Sequence, residues 1–100
     1  MWFNAGKISD IDEGKSQVLN ANGKEIALFK IGGKFYAMEN ACSHRGGPLA
    51  EGYIEGMEVT CPWHAWAYNV STGICSTIPD TKQPVFKVKM EGDEVFVEVN

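Results

Sequence analysis

A chain of 100 residues has room for one hydrophobic core and little more. Its 44% hydrophobic and 22% charged content is that of an ordinary globular chain, with no apolar run long enough for a membrane-crossing helix. A net charge of −4 argues against nucleic-acid binding, which needs a basic stripe, and it suits a basic patch on a partner as readily as plain solubility.

Taken in chain order, the elements are short strands. The opening Met1-Trp2-Phe3-Asn4-Ala5-Gly6-Lys7 lacks a basic stretch followed by an apolar one, so no secretion signal is expected. Residues 16–20 and 24–31 flank Ala21-Asn22-Gly23, and Asn-Gly is a tight-turn signal between strands. A second turn at Ile31-Gly32-Gly33-Lys34 leads into a strand over 35–39. Residues 40–80 then hold most of the irregular, Pro- and Gly-bearing sequence. Beyond them Phe86, Val88 and Met90 alternate with Lys87 and Lys89, which predicts one buried and one wet face. Glu91-Gly92-Asp93-Glu94 turns the chain into a last strand over 95–99. The pattern predicts an all-β fold: an antiparallel sandwich base forming a single domain over 1–100, with a smaller unit over about 40–80 inserted in it.

That insert carries the chemistry. Cys42-Ser43-His44 and Cys61-Pro62-Trp63-His64 give the spacing C-x-H, sixteen residues, C-x-x-H. Each segment offers one thiolate and one imidazole at short range, and the chain has no other His. Two such segments can hold one binuclear centre, each giving one ligand to each iron. The same four residues could instead form a structural zinc site. Zinc sequences more often place two Cys together and two His together, so the alternating order favours iron. The third cysteine, Cys75, reads as a small structural residue. An odd cysteine count of this kind favours a reducing compartment, and the cytoplasm is the simplest assignment.

With its continuation Arg45-Gly46-Gly47-Pro48-Leu49 and the later run Ala65-Trp66-Ala67-Tyr68-Asn69, then Ser71-Thr72-Gly73, the pattern resembles the Rieske ferredoxins. The resemblance is close over about residues 36–80. It implies a [2Fe–2S] cluster, one per chain, held by Cys42, His44, Cys61 and His64. It also implies a β-sandwich base with a cluster-binding subdomain, and a third loop over the cluster that contains Pro79. Tyr68, by its position in the family, would direct its hydroxyl to the Cys61 sulfur; a half-buried strand Tyr is the plainer alternative. Gly46 and Gly47 would let backbone N–H groups approach the sulfides. Trp63 and Trp66 would shield the cluster or pack the core, and Arg45 would be a solvated loop residue.

Family likeness implies a one-electron carrier rather than an enzyme, with a flavin-dependent reductase as donor and a ring-hydroxylating Rieske oxygenase or other redox enzyme as acceptor. No nucleic-acid or membrane partner is expected. Small Rieske subunits of assimilatory nitrite reductases look similar and form the alternative. A free-standing oxygenase would need two further His for its mononuclear iron.

The chain departs from respiratory Rieske proteins where those carry an extra Cys in each loop, at Gly47 and Trp63 here, and a Ser, at Trp66 here. Neutral imidazoles leave the oxidised cluster uncharged, which eases electron uptake relative to an all-thiolate site. Without the Ser hydroxyl and the disulfide, fewer groups stabilise the reduced state. Redox titration is expected to give a value in the lower part of the Rieske range, roughly −150 to −50 mV. A potential above about +100 mV would point to a quinol-oxidising role instead.

Overall fold

The computed structural model describes residues 1–41, 48–62, 66–76 and 81–99. Its strands are β1 (Trp2–Lys7), β2 (Ser16–Ala21), β3 (Lys24–Ile31), β4 (Lys34–Glu39), β5 (Tyr53–Glu55), β6 (Glu58–Thr60), β7 (Ala67–Asn69), β8 (Val85–Phe86), β9 (Val88–Glu91) and β10 (Glu94–Glu98). They form three antiparallel sheets, ordered β1-β10-β9, β2-β3-β4-β8 and β5-β6-β7. Only two single 3-10 turns, Ile8–Asp10 and Leu49–Glu51, interrupt the all-β architecture among the described residues. No helix among them is long and apolar enough to cross a membrane.

The β2–β3 hairpin forms where Asn-Gly predicts it. Asn22 and Gly23 have φ of 52° and 79°, a mirror-image turn whose twist matches the flanking strands. Register then runs from Ala21 opposite Lys24 to Ser16 opposite Phe29. In β3 the run Ile26-Ala27-Leu28-Phe29 is buried throughout. Because successive side chains point to opposite faces, Ile26 and Leu28 enter one core while Ala27 and Phe29 enter another. Burying a side chain the size of Phe29 contributes roughly 1.5–3 kcal/mol.

The first core lies between the first two sheets. Ala5, Val95 and Val97 come from one, and Ala21, Ile26, Leu28, Phe35 and Ala37 from the other. The second core lies on the opposite face of β3 and β4. There Ala27, Phe29 and Met38 meet Leu49, Val59, Cys61, Tyr68, Val70 and Cys75 from the insert.

Two features differ from the sequence expectation. The stretch 86–90 is not one strand with one buried face. Phe86 pairs with β4, whereas Val88 pairs with Val97 of β10, so the chain changes sheets at Lys87. Phe86 and Val88 pack on the first core, but Met90, near the end of edge strand β9, stays 48% exposed. Alternation in sequence reports a common face only while the strand stays in one sheet. The second difference is the β5-β6-β7 sheet, in a region that reads as irregular because each strand has only three residues.

The β3–β4 turn has an electrostatic clasp. The N–H groups of Gly32 and Gly33 donate to the two carboxylate oxygens of Glu13. Those two bonds, Gly33's first and then Gly32's, hold the Glu13 carboxyl below its ordinary 4.5, with Lys30 assisting and desolvation opposing. The carboxylate is the form that accepts both bonds, so the clasp is present above the ordinary carboxylate range and released as pH falls through the lowered pKa. The amide proton shifts of Gly32 and Gly33 are expected to titrate together with a midpoint below 4.5. Glu13→Gln should abolish that shared titration. A midpoint at or above the ordinary value would contradict the clasp.

Candidate metal centre

Three excursions of the chain are each closed at the base by described residues, through bridges or backbone hydrogen bonds. The first, residues 42–47, departs from Ala41 and returns at Pro48, which pair across a β-bridge. Asn40, only 4% exposed, secures both ends. Its carbonyl accepts from Leu49 N–H at 2.8 Å, and its Oδ1 accepts from Ala50 N–H at 2.9 Å. Its own N–H donates to the Glu25 carbonyl at 2.9 Å, tying this base to β3.

The second excursion is the tip of the β6–β7 hairpin. Thr60 stands opposite Ala67, and the Cys61 N–H donates to the Trp66 carbonyl at 2.8 Å, which closes the hairpin at that pair. The third is closed by the Cys75 N–H donating to the Thr81 carbonyl at 2.9 Å and by the Ile74–Lys82 bridge. The Ser76 N–H donates to the Ala67 carbonyl at 2.8 Å, so the bases of the second and third excursions are joined.

Of the residues singled out in the sequence, Cys61, Trp66, Tyr68 and Cys75 are described. Cys42, His44, Arg45, Gly46, Gly47, Trp63, His64 and Pro79 lie outside the described residues. Cys61 is 1% exposed and sits at the mouth of the hairpin loop that contains His64 in sequence. Tyr68 is fully buried in β7, opposite Val59 and bridged to Cys75. The sequence alternative of a half-buried Tyr is thus corrected: the second core covers its whole side chain. Trp66 is half-buried against that core, and Cys75 is within it, as a small structural residue would be.

A thiol sealed from water, with a His three residues further on in sequence, is a suitable donor for an iron–sulfur centre, because thiolate ligation and low solvent access both favour such clusters. The Rieske [2Fe-2S] domain model matches residues 1–97. The chain belongs to the Rieske [2Fe–2S] family.

The same likeness extends over whole proteins. The ferredoxin component of the naphthalene 1,2-dioxygenase/salicylate 5-hydroxylase systems of a Ralstonia species is 36% identical over 99 residues, covering 98% of this chain and 95% of that one. The ferredoxin component of the naphthalene 1,2-dioxygenase system of Pseudomonas putida is 35% identical over 100 residues, covering 99% and 96%. Among solved structures, a chain in a complex of reduced oxygenase and oxidized ferredoxin in carbazole 1,9a-dioxygenase superposes with a TM-score of 0.90. It is 34% identical, with 96% of this chain and 91% of that chain covered. This Rieske protein therefore carries one [2Fe–2S] cluster per chain and is an electron carrier rather than a catalyst in its own right.

Two buried polar residues at the bases of these excursions were not singled out from sequence. Asn40 and Gln83 are polar but buried, and both donate or accept at loop bases. The only sequence signal is a neutral amide near an excursion: Asn40 two residues before Cys42, and Gln83 just before a proline. Gly73, part of the family resemblance, has a clear physical role. Its φ is +80°, and an added Cβ would overlap the carbonyl oxygen of Gln83. Gly73→Ala is expected to destabilise the protein by at least about 1–3 kcal/mol from backbone strain alone, with the overlap adding to it. Chemical denaturation measures the loss, and a stability within error of the parent would show that the turn accommodates a side chain.

Proposed function

We propose that this chain is the ferredoxin component of a ring-hydroxylating oxygenase system. It takes single electrons from a flavin-dependent reductase and passes them to a Rieske oxygenase, in the cytoplasm. The observation that carries this reading is end-to-end likeness to ferredoxin components, with 95% and 96% of those relatives covered. Their names state naphthalene 1,2-dioxygenase systems, and a related solved complex joins an oxygenase with a ferredoxin.

Cys42, His44, Cys61 and His64 are proposed as the cluster ligands, within an insert over about 40–80 of one Rieske domain spanning 1–100. When bound, the cluster supplies reversible uptake of one electron. The chain does the rest. Burial of Cys61 and Tyr68 keeps water from the thiolate side, and Trp66 extends that cover. Gly46 and Gly47 would bring backbone donors to the cluster, Pro79 would cap it in the third loop, and the Tyr68 hydroxyl would donate to the Cys61 sulfur.

The purified protein is expected to be brown-red, with two irons per chain and a rhombic electron paramagnetic resonance signal on reduction. Cys61→Ala should be colourless with iron well below that count. A stoichiometric, coloured Cys61→Ala protein would overturn the ligand assignment. In a reconstituted reductase, ferredoxin and oxygenase assay, the holoprotein should replace the ferredoxin. Failure with every ring-hydroxylating oxygenase tested would remove the oxygenase role while leaving the cluster in place.

Tyr68→Phe provides a graded measurement. A hydroxyl bond to Cys61 that strengthens by about 0.5–1.5 kcal/mol on reduction corresponds to a one-electron shift of roughly 20–65 mV. The variant should keep its cluster and lower the potential by that order. An unchanged potential would leave Tyr68 with packing alone.

A further inference from the structure

The β4–β8 ladder pairs Ala37 with Phe86 and Met38 with Val85, so the next pair in register is Glu39 with Pro84. Half of that pair forms: the Glu39 N–H donates to the Pro84 carbonyl at 2.9 Å. The return bond cannot form, because proline has no N–H. Gln83 supplies it from a side chain. Its Nε2 donates to the Glu39 carbonyl at 2.7 Å and to the Ala41 carbonyl at 2.6 Å. A carboxamide has two N–H bonds, and both are committed to the last stretch of chain before Cys42. One side chain thus continues the ladder past the point where Pro84 ends it.

Gln83 is well placed to transmit position. It is fully buried, and its backbone N–H donates to the Gly73 carbonyl at 2.7 Å. Its neighbour Lys82 bridges to Ile74, one residue before Cys75. Gln83 therefore links the mouth of the first excursion, through its carboxamide, to the segment beside the bridge that closes the third, through its backbone. Methionine or leucine would fill the same space but provide no donor, so packing alone does not account for glutamine here.

We infer that Gln83 is a positioning residue for the first ligand loop. Its carboxamide holds the backbone at Glu39 and Ala41, from which Cys42 and His44 follow in sequence, and so sets how uniformly and how firmly the cluster is held. This rests on the proposed role of Cys42 and His44 as ligands. Removing the two donors should make opening of the loop mouth about tenfold more frequent or greater, the equivalent of one buried hydrogen bond.

The test compares the holoprotein with Gln83→Met, which keeps the volume and loses both donors, and with Val97→Ala, a cavity in the first core away from the excursions. Iron per chain, the linewidth of the reduced-state paramagnetic resonance, and the rate of cluster loss to a chelator are measured well below the unfolding temperature. Gln83→Met should load two irons per chain, broaden the resonance and lose the cluster about tenfold faster or more. Val97→Ala should be thermally destabilised with the parent linewidth and release rate. If Gln83→Met does not accumulate as folded protein, Gln83→Asn, one methylene shorter, is measured in its place with the same expectation.

Parent linewidth and release rate in the Gln83 variant would overturn the inference while leaving the proposed function standing. Equal broadening in Val97→Ala would also overturn it, by reducing the effect to general loosening. A parent protein without iron or signal would instead reject the cluster reading on which the inference rests.

Discussion

Everything in this molecule is built on a strand that is covered on both sides. Ile26 and Leu28 of β3 complete the first core, and Ala27 and Phe29 enter the second core with Leu49, Val59, Cys61 and Tyr68. A one-residue slip of β3 would exchange the two faces and bring Glu25 or Lys30 toward an apolar core, at a cost of several kcal/mol for an unpaired charge. The Asn22-Gly23 turn at one end and the Glu13-clasped Gly32-Gly33 turn at the other guard against that slip. Register in β3 therefore sets the position of the base and the site together.

The site is held differently from the base. Ladders of backbone hydrogen bonds suffice for the sandwich, but the strands of the insert are only three residues long. Closure of the excursions falls to individual contacts: Asn40 at the first, the Cys61–Trp66 backbone bond at the second, and the Cys75–Thr81 bond at the third. Asn40 and Gln83 are neutral amides, which can satisfy buried backbone groups without the desolvation cost of a charge. Asn69 works in the same way at the surface, where its Oδ1 accepts from Ser71 and Thr72 to shape the turn leading to Gly73.

Such a scaffold suits a carrier. The second core surrounds Cys61 and Tyr68 with apolar neighbours from β3, β4 and the insert. Access by water is thereby limited on the thiol side, which is one of the means by which a protein adjusts an iron–sulfur potential. Membership of the Rieske family and whole-length likeness to ferredoxin components agree with a role in carrying electrons.

Local sequence determined much of this. The Asn-Gly and Gly-Gly turns marked their hairpins because only a few residue types adopt positive φ without strain. The two Cys/His segments pointed to a metal centre because metal ligation calls for particular donors at short spacing, and the family match supports cluster chemistry of that kind. Other features depended on contacts between distant segments. The change of sheet at Lys87 is invisible in an alternating pattern, which continues across it. The β5-β6-β7 sheet was hidden because three-residue strands carry too little periodicity, and its buried residues Val59 and Tyr68 pack with Ala27, Phe29 and Met38 from distant strands. Full burial of Tyr68 and the bonds made by Asn40 and Gln83 were decided in the same way. A polar residue in sequence reads as exposed, and only the folded chain brings Gln83 to Glu39 and Ala41, forty-odd residues away, where a missing proline N–H needed replacing.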